Sequence, residues 1–113
     1  MFEIIYADEA VEQLNQLDKA SRNKILKTID IFEQFGKEAN NTRSLKNGLW
    51  EFKADNVRAY FKYHQQKIII VGLIILKKTQ KAPERFMLQA IKNIDKVIQE
   101  TSFNKSNQET NGD

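Results

Sequence analysis

The chain has 113 residues, a formal net charge of +3, 41% hydrophobic and 29% charged residues, one His, one Pro and no Cys. That length implies one domain able to bury roughly 65% of its unfolded surface, while the missing thiols exclude disulfides and thiolate metal sites, a single His argues against a His-based zinc site, and the balance points to a cytoplasmic protein with neither metal nor cofactor. The positive charge is local: Arg43 to Arg85 hold ten Lys and Arg against three acids, a net of +7, between flanks of −3 and −1, so one surface is suited to a polyanion such as a phosphate backbone.

Phe2 to Tyr6 form a short apolar run that suits a strand, and Met1 to Tyr6 lack the basic start of a signal peptide. Asp8 is placed to cap a helix over residues 9–17 in which Ala10, Val11, Leu14 and Leu17 share a face. Asp18 caps a second helix with Ile25, Leu26, Ile29, Phe32 and Phe35 on one stripe, and Gly36 sits where a left-handed C-terminal residue is tolerated. Lys37 to Ser44 read as a loop, with Asn47-Gly48 bending the chain just before the next strand.

Asp55-Asn56 is a turn pair, and centring a hairpin on it sets Ala54 opposite Val57, Lys53 opposite Arg58, Phe52 opposite Ala59, Glu51 opposite Tyr60 and Trp50 opposite Phe61. The two-residue strand period then sorts the side chains. Trp50, Phe52, Ala59 and Phe61 face the core; Glu51, Lys53, Arg58, Tyr60 and Lys62 face the other way.

A second tight turn centred on Gln65-Gln66 sets Phe61 opposite Ile70, which places Ile68, Ile70, Gly72, Ile74 and Leu76 in the core and Ile69, Val71, Leu73, Ile75 and Lys77 on the polar hairpin face. At nine residues, Ile68 to Leu76 is about half the length of a membrane-spanning helix and reads as a buried strand. A strand apolar on both faces is central in its sheet, so Met1 to Tyr6 belong on its far side and some element must cover its second face. The last helix opens with Pro83 as its first residue and carries Phe86, Met87, Ala90, Ile91, Ile94, Val97 and Ile98 on one stripe to about Gln99. Residues 1–99 thus form the domain, and 100–113 read as a disordered polar tail.

The order βααβββα, the run Gly48-Leu49-Trp50-Glu51-Phe52-Lys53, Arg58 in the next strand and above all Lys77-Lys78-Thr79-Gln80-Lys81-Ala82-Pro83 resemble the RelE/ParE toxin superfamily, in particular its phage-derived HigB-like branch. The resemblance covers residues 1–99. It implies an α+β fold: a small mixed, mostly antiparallel sheet packed on two N-terminal helices, with a C-terminal helix. It also implies the toxin of a type II toxin-antitoxin system, a metal-independent endoribonuclease that cleaves mRNA in the ribosomal A site and is neutralised by a cognate antitoxin. Members often carry Arg at the place of Lys53 and His at that of Leu73, and many relatives use a Tyr or His near the C-terminus, where this chain offers only Phe103.

For such a reaction the 2′-OH must be deprotonated, the phosphorane charge stabilised and the leaving oxygen protonated. Arg58, suited to bidentate phosphate contact, and Lys77, a point charge, are the candidate stabilising cations. Glu51 is placed to orient Arg58, to act as a base or to form a purely structural pair with it. Tyr60 is either a stacking platform for a base or an ordinary strand aromatic. Lys53, Lys62, Lys78, Gln80 and Lys81 are candidate contacts to RNA or ribosomal phosphates. His64 reads as solvent-exposed and Trp50 as core. Two other functions fit the same residues: ParE-like inhibition of a topoisomerase without hydrolysis, and RNA binding without catalysis.

Overall fold

The computed structural model describes residues 2–36, 41–77 and 83–111, with side chains as far as Thr101. In chain order it has β1 (Glu3–Tyr6), α1 (Asp8–Gln16), α2 (Lys19–Phe35), β2 (Thr42–Ser44), a 3-10 turn (Lys46–Gly48), β3 (Trp50–Ala54), β4 (Val57–His64), β5 (Ile68–Leu76) and α3 (Glu84–Asn111). The strands form one sheet in the order β1-β5-β4-β3-β2, with β1 parallel to β5 and every other pair antiparallel. The α+β fold with two N-terminal helices and a C-terminal helix is therefore as expected, and β5 has the predicted central place beside β1.

Asp18 caps α2 by accepting a hydrogen bond from the Ser21 amide at 3.1 Å, and Gly36 ends it at φ 62°. At α1 the N-cap is Ala7; Asp8 is the first helical residue, where with Glu9 it faces the positive end of the helix dipole instead of capping it. Ala10, Ile25, Ile29 and Phe32 are buried against Phe52, Ala59, Phe61, Ile69, Val71 and Ile74. Phe32 is the hub, within 5.2 Å of the Phe2 ring, 5.1 Å of Phe52 and 5.9 Å of Phe61. Val11 and Phe35, both assigned to apolar stripes, lie at the helix margins and are 41% and 60% exposed.

The β3–β4 hairpin has the predicted register, from Ala54 opposite Val57 to Trp50 opposite Phe61, with Asp55 at φ 57° in its turn. The next register departs from expectation. The loop has three residues, Gln65 to Lys67, opened by Gln65 at φ 59°, so Phe61 meets Val71 instead of Ile70. That one-residue slip turns Ile69 and Val71 toward α1 and α2, and Ile68 and Ile70 to the other face. A bulge at Gly72 then restores the predicted faces: Tyr60 pairs with Leu73 and Ala59 with Ile74, leaving Gly72 unopposed.

The same glycine seats α3. A Cβ at Gly72 would lie 2.5 Å from the Ala90 carbonyl oxygen and 2.8 Å from Ile94 Cγ1, so only glycine lets the helix approach this closely. Because β1 ends at Tyr6, the edge of β5 beyond Val71 needs other hydrogen-bond partners. Asn93 Nδ2 donates to the Gly72 carbonyl at 2.9 Å, and the Ile74 amide donates to Gln13 Oε1 at 2.8 Å. Asn93 also donates to Glu9 Oε1 at 2.6 Å, tying α3 to α1.

Leu49, Tyr60, Ile70 and Leu73 pack under Ala90 and Ile94, so α3 is the element that covers the second face of the sheet. Pro83 precedes the helix, its carbonyl accepting from the Phe86 and Met87 amides at 3.1 and 3.3 Å, one place earlier than expected. The helix continues to Asn111 rather than stopping near Gln99, through the stretch that composition reads as a tail. The apolar stripe ends there, but no Gly or Pro interrupts residues 100–111.

Two further differences lie before β3 and at its first residue. Thr42 to Ser44, read as loop, form a short edge strand whose Arg43 lies opposite Glu51, and Asn47 (φ 59°) with Gly48 (φ 77°) turns that strand back into β3. Trp50 is half-buried, edge-on to Tyr63 with ring centroids 5.5 Å apart, on the side of the sheet that α2 covers.

Candidate functional site

Each of the four strands from the β2 edge inward contributes one cation to the end of the sheet. Arg43 lies opposite Glu51, Lys53 opposite Arg58 and Arg58 opposite Ile75, so the two-residue period brings Lys77, just beyond β5, to the same face. The Lys77 amide donates to the Asn56 carbonyl at 2.7 Å and holds that end of the chain against the hairpin turn. Arg43, Lys53, Arg58 and Lys77, with Asn41, Thr42, Glu51 and Asp55, line a cleft of about 650 Å³. Four cations against two carboxylates leave it a net +2. Asp55 moreover pairs at 3.0 Å with Lys24 of α2.

Glu51 is the centre of the arrangement. Its carboxylate is 2% exposed, and its Oε1 lies 3.2 Å from Arg43 Nη2 and 3.7 Å from Arg58 Nε. Arg58 is anchored independently, since its Nη1 donates to the Asp55 carbonyl at 2.6 Å and the Val57 carbonyl at 3.0 Å. The pairing therefore fixes the Arg58 fork in one orientation at the floor of the cleft. Burial lowers the pKa of Lys77 from its ordinary value; Glu51 opposes that shift, and Arg43, Arg58 and Lys53 reinforce it. A lysine so placed gives up its proton more readily than one in water.

Tyr60 is fully buried beneath α3, so its ring cannot stack on a base in this structure. Its hydroxyl and Glu51 Oε2 are buried without a well-formed hydrogen bond, yet the carboxylate acts on the phenol: burial first, then the Glu51 charge, pushes the Tyr60 pKa up to about 12. Tyr6 is also pushed up to about 12, by burial and by Asp30 and Glu33. A raised phenol pKa stabilises the fold in full below the ordinary value of 10.0 and is lost as pH rises through 12. Lys77 acts with the opposite sign, its cost being relieved as pH climbs toward 10.5. Stability measured by denaturant unfolding should thus fall steeply between pH 10 and 12, and Tyr60→Phe should make that fall shallower while leaving the unfolding free energy at neutral pH within about 1 kcal/mol of the parent, since no well-formed hydrogen bond is lost.

Of the residues singled out from the sequence, Glu51, Lys53, Arg58 and Lys77 meet at the cleft. Lys62 does not line it; its stem passes Gly48 instead. His64 ends β4 half-buried, away from the cleft. Lys78, Gln80 and Lys81 lie outside the described residues. Arg43 is the residue missed, and the available signal was the Asn47-Gly48 turn pair a few residues after it, which bends Thr42 to Ser44 back along β3.

Residues 12–95, well over half of the chain, match the family described as phage derived protein Gp49-like (DUF891). No curated protein matches the sequence. Among solved structures the fold is similar to a mutant of Escherichia coli toxin RelE in the free state, with TM-score 0.60 and 17% identity over 82% of this chain and 97% of that one. It is similar to the archaeal RelE-RelB complex of Pyrococcus horikoshii, with TM-score 0.56 and 18% identity over 68% and 96%. The intact E. coli RelBE toxin-antitoxin complex matches with TM-score 0.57 and 13% identity over 71% and 100%. At such identities the likeness to these structures is one of fold. The chain belongs to the phage-derived Gp49-like family, and its α+β architecture is the fold seen in the RelE toxin structures.

Proposed function

We propose that this protein is the toxin of a type II toxin-antitoxin system and that its cleft binds and cleaves mRNA, on the ribosome and without a metal ion. The observation that carries this reading is the convergence of Arg43, Lys53, Arg58 and Lys77 on one open cleft around the buried Glu51. Fixed cations in a partly desolvated site stabilise the charge that develops on a phosphorane more strongly than the ground-state phosphate. Arg58, held by Glu51 and by two carbonyls, is the preorganised donor for that charge. Lys77, with its lowered pKa, is placed to stabilise the same charge and to give a proton to the leaving 5′-oxygen. In this scheme Glu51 orients Arg58. Lys53, exposed on the rim, binds a flanking phosphate.

A cognate antitoxin is the expected partner, a reading supported by two of the similar structures being RelE bound to RelB. No helix among the described residues is long and apolar enough to cross a membrane. Primer extension on a reporter mRNA in a translating extract, run beside a gyrase cleavage assay, tests the function. New stops within the reading frame are the expected result; gyrase poisoning with intact mRNA would instead establish a ParE-like inhibitor.

A further inference from the structure

Arg43 is not among the residues that the sequence marks for function, and we infer that it is a substrate-binding residue of the cleft, one that leaves Glu51 to grip an RNA phosphate when substrate arrives. The inference rests on the ribonuclease reading above and adds a residue to that site. Its basis is the unequal way the two arginines are held. Arg58 is 11% exposed, and two backbone carbonyls fix its Nη1 independently of Glu51. Arg43 stands on a three-residue edge strand, its side chain is 54% exposed, and among the described residues that side chain is tied by one ion pair, to Glu51 at 3.2 Å.

An ion pair with one half-exposed partner is a weak restraint. Moving Arg43 away does not strand a buried charge, because Arg58 remains beside the same carboxylate oxygen at 3.7 Å. Nor is Arg43 needed to complete the hydrogen bonding of Glu51. Arg43 reaches Oε1, and Oε2 lies on the side of the buried Tyr60 hydroxyl, whose pKa the carboxylate raises. What Arg43 does have is a position on the wall of the cleft and a planar fork that matches a phosphate bidentately.

The test uses the full chain, single-stranded RNA oligonucleotides and a translated reporter mRNA, with Arg43→Ala and Arg43→Lys beside the parent. Arg43→Ala should raise KM for the mRNA and Kd for the oligonucleotide about tenfold, the equivalent of one charge-assisted contact, with kcat changed less than about twofold. The plot of log Kd against log salt should become shallower by about 0.7, one phosphate contact on a single strand. Arg43→Lys should recover the salt slope but only part of the affinity, since an ammonium cannot pair bidentately. If the parent cleaves and Arg43→Ala keeps its KM and salt slope, the Arg43 assignment fails while the ribonuclease reading stands. A parent that neither binds RNA nor cleaves it overturns both. A fall in kcat at unchanged KM, or loss of folding in both variants by circular dichroism, would likewise refute a binding role.

Discussion

Arg58→Ala is expected to lower mRNA cleavage by about 10²–10³-fold, the effect of deleting one preorganised donor to a developing oxyanion. The loss should appear in kcat, because Arg58 lines the cleft held in one orientation by two carbonyls and is the residue proposed to meet the reacting phosphate rather than a flanking one. It should also reduce stability, since the 2%-exposed Glu51 carboxylate loses the more deeply buried of the two arginines it pairs with. These two consequences can be separated. In the double variant Arg58→Ala/Glu51→Gln the buried Glu51 charge is removed together with its partner, so its melting temperature should lie above that of Arg58→Ala while cleavage stays equally low. Recovery of cleavage along with stability would mean that Arg58 acts only as a structural counterion to Glu51.

Phe61→Ala should cost about 3–5 kcal/mol, read from denaturant unfolding. The ring is fully buried, stacks on Phe52 with centroids 4.1 Å apart, and meets Phe32 at 5.9 Å and Tyr63 at 5.6 Å. These neighbours stand on three different elements, so they cannot close together over the space without moving α2 against the sheet. A cost under about 1 kcal/mol would show that the aromatic cluster repacks and that the core is looser than these contacts imply.

The hairpin that carries Glu51, Lys53 and Arg58 was legible because Asp55-Asn56 marks its turn and strict alternation marks its faces. The face on which Lys77 lies was also legible, because two one-residue shifts add to one full strand period: the three-residue turn moves β5 by one position and the Gly72 bulge moves it by another in the same direction. Neither shift has a signature in one sequence, because Gln65-Gln66-Lys67 is not a recognised turn and an isolated Gly in a strand fits several local geometries. The burial of Tyr60 follows from the second shift, since Gly72 is what admits α3 close to that face. Arg43 was lost for a different reason. Three residues are too few to display a period, and a strand that short is held by its partner β3 rather than by its own propensity.

The central claim is that fixed cations, rather than a metal ion, drive attack of the 2′-OH on the adjacent phosphate. End-group analysis of mRNA fragments addresses this most directly: endogenously translated reporter RNA is isolated after induction of the toxin, and purified protein is incubated in parallel with RNA and programmed ribosomes, with magnesium present to keep the ribosomes intact. Attack by the 2′-OH forms a bond to phosphorus as the bond to the 5′-oxygen breaks, so every cut should leave a 2′,3′-cyclic phosphate on one fragment and a 5′-hydroxyl on the other. Lys77→Ala should remove those ends from both samples. Fragments bearing 3′-hydroxyl and 5′-phosphate ends, or cyclic-phosphate ends that persist undiminished in Lys77→Ala, would contradict it.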